Sequence, residues 1–229
     1  MGKKSIYINI KPKTVLRYLL SLTFLLLIAN IAVLTFYTIT NSNSVLISFF
    51  DFDYEGNLPT MYSSILLIIS SILLILIALE KKRNKLQYWH WSGLALIFSF
   101  LAVDEFVIIH EHVNAFINTY TNVSGLLYYP WVIPYTIFLL IFIIIYWKFL
   151  VKLPKSIRRL FILSGLVYVV GSIGIEILGG WQHELHGNNN ITYYLLYSLE
   201  ELLEMVGINL FIYALLRYLK QINFSLELK

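Results

Sequence analysis

Of 229 residues, 59% are hydrophobic and only 13% are charged, against about 45–50% and 25% in ordinary soluble domains. That balance excludes a water-soluble enzyme. The chain contains no cysteine, which excludes disulfides, thiolate chemistry and cysteine-ligated zinc.

Apolar runs of about 20 residues, the length a helix needs to cross a hydrocarbon core about 30 Å thick, recur along the chain. They predict an all-α, polytopic membrane bundle of six transmembrane helices, one domain over 1–229, with spans at 15–38, 61–79, 91–113, 131–150, 160–180 and 193–216. The first run is too long for the apolar region of a signal peptide and is read as a retained anchor.

Basic residues orient the bundle. An even number of spans puts both termini on one side. That side collects Lys3, Lys4, Lys11, Lys13 and Arg17, the loop Lys81, Lys82, Arg83 and Lys85, then Lys148, Lys152, Lys155, Arg158 and Arg159, and finally Arg217, Lys220 and Lys229. These are all 17 basic residues. The positive-inside rule makes this side cytoplasmic, as in a bacterial cytoplasmic membrane, and explains the net charge of +4 without nucleic acid. Aromatic belts agree, with Trp89, Trp91, Tyr146 and Trp147 inside and Tyr128, Tyr129, Trp131, Trp181, Tyr193 and Tyr194 outside.

All 13 acidic residues except Glu80 and Glu227 fall on the other side. Residues 51–58 alternate acids with a glycine in sixth place, as a calcium loop does, but Tyr62 stands where a bidentate glutamate belongs. The segment is read as a solvated acidic loop, with Glu55 outside any site.

In the third span, Asp104 lies about 20 Å from the inner end at 1.5 Å per residue. A helix continuous through this region nearly eclipses Asp104 with Glu111 and Glu105 with His112, and turns His110 away as a packing residue. In the fifth span Glu176, about 24 Å in, shares a face with Ser172, Gly179, Gly180 and His183. His183 and His186 fall in an outer loop over 181–187. In the sixth, Glu200, Glu201 and Glu204 share a face with Tyr197 and Gly207, and Glu201 and Glu204 reach about 12–16 Å deep.

Each acid at a helix centre costs about 2.5–3.5 kcal/mol on insertion, while a Leu, Ile, Val or Phe returns about 0.3–0.6. No Lys or Arg on that side pairs with these acids, so they are expected to be protonated, hydrated or bound to cations. Intramembrane ionisable groups are functional-site candidates by default. The candidate metal ligands are Asp104, Glu105, Glu111, His112, Glu176, His183, Glu200, Glu201 and Glu204. Carboxylates with imidazoles suit Zn²⁺, Mn²⁺ or Fe²⁺ ahead of Ca²⁺ or Mg²⁺.

Two known patterns provide contrast. Carboxylate-bridged di-metal bundles use Glu-x-x-His, whereas here His112 directly follows Glu111. Intramembrane CAAX-processing proteases carry E-E-x-x-x-R, whereas Glu200-Glu201 is followed by Met205 in the arginine position and Phe106-x-x-x-His110 precedes the pair. The expected function is an integral membrane cation-binding protein linked to divalent-metal or proton transport. The alternatives are a membrane-embedded metal-dependent hydrolase or oxidoreductase acting on a neutral or lipid-soluble substrate, and a non-catalytic subunit of a membrane complex. The expected partners are the lipid bilayer, a divalent cation or proton, and either another copy of the chain or a membrane-complex subunit. An anionic substrate has no Arg or Lys to hold it on the acidic side.

Overall fold

A computed structural model describes residues 5–6, 11–42, 44–121, 123–222 and 226–227; Lys3, Lys4 and Lys229 lie outside them. The helices are α1 (Pro12–Thr40), α2 (Val45–Phe50), α3 (Leu58–Arg83), α4 (Trp89–Val107), α5 (Ile109–Tyr120), α6 (Val132–Lys152), α7 (Lys155–Val169), α8 (Glu176–His186) and α9 (Ile191–Gln221). A π-helical segment, Val170–Ile175, joins α7 to α8 and makes them one long helix. Six helices are long and apolar enough to cross a membrane: α1, α3, α4, α6, the joined α7–α8, and α9. Outside the helices, Ser5–Ile6 pairs antiparallel with Leu226–Glu227 and brings the two chain ends together.

Local chemistry sets several boundaries. Pro12 opens α1 at a position whose N–H needs no partner. The Asn57 side chain caps α3 by accepting the Thr60 N–H, and Lys81, Lys82 and Arg83 close that helix where its dipole favours cations. Asn190 caps α9 by accepting the Tyr193 N–H.

Helix α9 is the hub, packed against α1, α3, α7, the π segment and α8. Its Met205, Ile212, Ala214 and Leu215 are completely or almost completely buried. Small and hydroxyl side chains set the close contacts that helix association in lipid requires. Ser64 and Ser71 on α3 donate to the carbonyls of Ala102 and Ala95 on α4. A Cβ on Gly207 of α9 would stand 2.8 Å from the Tyr168 nitrogen of α7. Helix α6 is the outlier: Ile141, Ile144 and Ile145 at its middle are exposed, while Phe142 beside them packs against the core.

Three expectations are corrected. The third span ends at Val107 instead of running through 113. Ile108 adopts a left-handed conformation, φ 61° and ψ 45°, and α5 leaves as a separate amphipathic helix with no fully buried residue. The fifth crossing is not a uniform α-helix, because the π segment intervenes. Residues 181–186 are helical and extend α8, so His183 is fixed on a helix instead of lying in a loop.

Candidate functional site

The break at Ile108 builds one half of the site. The Ile108 N–H still bonds to the Asp104 carbonyl, after which the chain turns and starts α5. The buried Asp104 side chain accepts the His110 N–H through Oδ1 at 2.9 Å and the Tyr135 hydroxyl through Oδ2 at 3.0 Å. The His110 ring returns over the same carboxylate, with Nδ1 3.5 Å from Oδ1, while Nε2 lies 3.7 Å from Glu55 Oε1. Burial pushes His110 down, but hydrogen bonds and charge from Asp104 and Glu55 outweigh it and raise its pKa to about 11. The imidazolium is therefore clamped between two carboxylates, with Trp131 against the ring at 5.2 Å.

Two sequence readings change here. His110 faces the acids because the left-handed residue resets the helical phase, so Asp104 and Glu111 do not lie on one continuous ridge. Glu55 closes the site instead of sitting apart in a solvated loop. His112 is exposed, its Nδ1 2.6 Å from the Ile108 carbonyl. Glu111 accepts from Asn114 at 3.4 Å.

The π segment builds the other half. A π turn shifts the register of everything beyond it and is often found at functional sites; here it ends where Glu176 begins. Gly171 lets this helix meet α9 closely: a Cβ there would stand 2.8 Å from the Glu200 carbonyl and 3.3 Å from Glu204 Cγ. Glu176 accepts the Trp131 indole N–H at 2.9 Å, and its carboxyl lies close enough to that of Glu200 for the two to influence each other. Glu105 lies in electrostatic range of Glu55, Asp104 and His110. Glu201 and Glu204 both lie in electrostatic range of Glu105, Glu55 and His110.

The sequence-predicted acids Asp104, Glu105, Glu176, Glu200, Glu201 and Glu204 therefore belong to one cluster. Among the described residues its only ion-paired cation is His110. Also among the described residues, no three His, Asp or Glu side chains stand where they could hold one metal ion. Three of the cluster's oxygens already accept, from Tyr135, Trp131 and the His110 N–H.

His183 belongs to a neighbouring network. Its Nδ1 lies 2.6 Å from the Tyr129 hydroxyl, which is 3.3 Å from that of Tyr193, and Tyr193 donates to Asp53 Oδ1 at 2.7 Å. In parallel, Tyr197 donates to Asp51 Oδ1 at 2.8 Å. Burial raises the pKa of both aspartates, opposed at Asp51 by the Asp53 N–H and Tyr197 and at Asp53 by Tyr193. The segment from Asp51 is thus built into the fold: the Phe52 N–H donates to buried Asn30, and Asn57 donates to the Asp51 carbonyl. An open cleft of about 310 Å³, lined by Asn114, Asn118, Thr121, Tyr128, Tyr129 and His183, exposes the histidine end of the network.

Deeper in the bundle, Asn209 donates to Thr23 at 2.8 Å, and Tyr62 donates to the Leu19 carbonyl at 2.9 Å. Among the described residues, Ser63 Oγ and Asn209 Oδ1 are buried without partners.

A protein family described as a domain of unknown function, DUF8692, matches residues 19–219. No curated protein and no solved structure matches the chain.

Proposed function

We propose that this chain, which belongs to the DUF8692 family, is a multi-pass membrane protein that takes up cations into a buried carboxyl cluster, and that the cation is the proton. In this reading the acidic end faces outward and the basic end faces the cytoplasm, following the distribution of Lys and Arg.

The observation that carries the proposal is an imbalance of charge. Glu55, Asp104, Glu105, Glu176, Glu200, Glu201 and Glu204 share one region, and among the described residues His110 is the one basic group ion-paired with them. Unpaired carboxylates out of water are costly, and such groups neutralise instead. Protons satisfy this set without demanding a coordination geometry. The proximity of Glu176 and Glu200 also favours them, since neighbouring carboxyls repel when both are ionised and a proton relieves this.

The test is proton uptake by the purified chain in lipid nanodiscs, followed with a pH indicator as the medium is acidified. Wild type takes up more protons than Glu201→Gln or Glu204→Gln. Equal uptake in all three overturns the proposal. So does a stoichiometric divalent metal found by elemental analysis before any chelator is added, if its removal leaves proton uptake at the Glu→Gln level.

A further inference from the structure

The cluster requires an entry route, and the side chains between the cleft and Asp53 have the chemistry of one. We infer that His183, Tyr129 and Tyr193 form a proton relay that carries protons from the cleft to Asp53, beside Glu55. This inference rests on the proton reading above.

Hydrogen-bond polarity supports it. Asp53 as a carboxylate can only accept, so Tyr193 donates to it at 2.7 Å. The Tyr193 oxygen can then accept the Tyr129 proton at 3.3 Å, and the Tyr129 oxygen can accept the His183 Nδ1–H at 2.6 Å. With His183 protonated on Nδ1, this assignment points every donor the same way. The groups facing His183 are Tyr128, Tyr129, Tyr193 and, through charge, Asp53. Carboxylate charge from Glu111 and Glu176 also reaches Tyr129.

In the transfer step a solvent proton binds His183 Nε2 and the Nδ1 proton passes to the Tyr129 oxygen. The Tyr129 hydroxyl proton passes to Tyr193, and the Tyr193 hydroxyl proton passes to the Asp53 carboxylate. Each intermediate group gains one proton and loses one, and the net change is one proton on Asp53. Rotation of the hydroxyls and loss of the Nε2 proton to Nδ1 through solvent restore the starting polarity. Glu55, two residues from Asp53 and in electrostatic range of it, leads on to His110 and Asp104.

The experiment is a rapid pH jump on the full chain in nanodiscs, followed by infrared absorption of protonated carboxyl groups. The Asp53 band is identified by its loss in Asp53→Asn. His183→Gln, Tyr129→Phe and Tyr193→Phe each slow the appearance of that band by roughly a hundredfold, the scale of a lost positioned proton-transfer group. Tyr197→Phe, which touches Asp51, leaves it unchanged. The Tyr→Phe changes keep the ring packing, and thermal unfolding checks it. Unchanged rates in the three relay variants, or no Asp53 band in wild type, overturn the relay. Equilibrium uptake separates the two proposals: Tyr193→Phe retains it because the relay sets rate, whereas unchanged uptake in Glu201→Gln and Glu204→Gln defeats the cluster reading whatever the relay variants do.

Discussion

Asp104 Oδ1 lies 2.9 Å from the backbone nitrogen of His110 and 3.5 Å from its ring Nδ1. One carboxylate oxygen thus caps the first turn of α5 and holds the imidazole that this turn presents. The left-handed Ile108 makes both contacts possible. A β-branched residue at positive φ is a rare conformation, and strained backbone of this kind persists where its surroundings over-determine it.

Removing Asp104 takes away the nearer of the two carboxylates on the His110 ring and leaves Glu55 at 3.7 Å. Asp104→Asn therefore destabilises the protein by about 3 kcal/mol, the lower end for a broken buried ion pair. His110→Gln combined with Asp104→Asn costs less than the two single changes added together. A double-mutant cycle on thermal or denaturant unfolding in mild detergent measures the coupling.

Glu55 holds the other side of the same ring. Glu55→Gln lowers the His110 pKa from about 11, because one of the two carboxylates favouring the charged imidazole is gone. Titration of the histidine ring protons by NMR reads the change. An unshifted titration would separate Glu55 from the site.

The sign of the pH dependence follows from the same group. The folded pKa of His110, about 11, exceeds its ordinary 6.5, so the folded state binds this proton more tightly. Its contribution to stability is full below pH 6.5, declines as pH rises, and is lost above about 11. The stability difference between wild type and His110→Gln therefore narrows steadily across that interval, as unfolding at several pH values will record.

Gly171 tests the close contact behind Glu176. Gly171→Ala forces a methyl group to 2.8 Å from the Glu200 carbonyl, and overpacking of this kind costs about 1–3 kcal/mol. It also separates the π segment from α9, so proton uptake falls with stability. Gly179→Ala meets nothing within 4 Å and leaves both quantities near wild type.

The six long apolar helices were legible in the sequence because they depend on composition over long windows. Runs of about 20 apolar residues define spans, and Asp104, Glu176, Glu201 and Glu204 stand out within them. The role of His110 was not legible. It depends on a single left-handed residue, Ile108, and no glycine or proline marks the break. Glu55 was missed because its loop looks solvated in one dimension, yet Asn30, Tyr193 and Tyr197, far away in the chain, tie that loop down. The π segment carries a partial signal in Gly171 and Gly174, which read equally well as ordinary packing glycines.

Helix α6 rests on the bundle mainly near its ends, with Tyr146 and Phe149 against His90 at one and Trp131 and Tyr135 bonded to Glu176 and Asp104 at the other. Between them Ile137, Leu140, Ile141, Ile144 and Ile145 stay exposed, and Phe142 packs on the core. The Trp131 indole and the Tyr135 phenol couple the start of this helix to Glu176 and Asp104, so a displacement of that end is felt at both carboxyls.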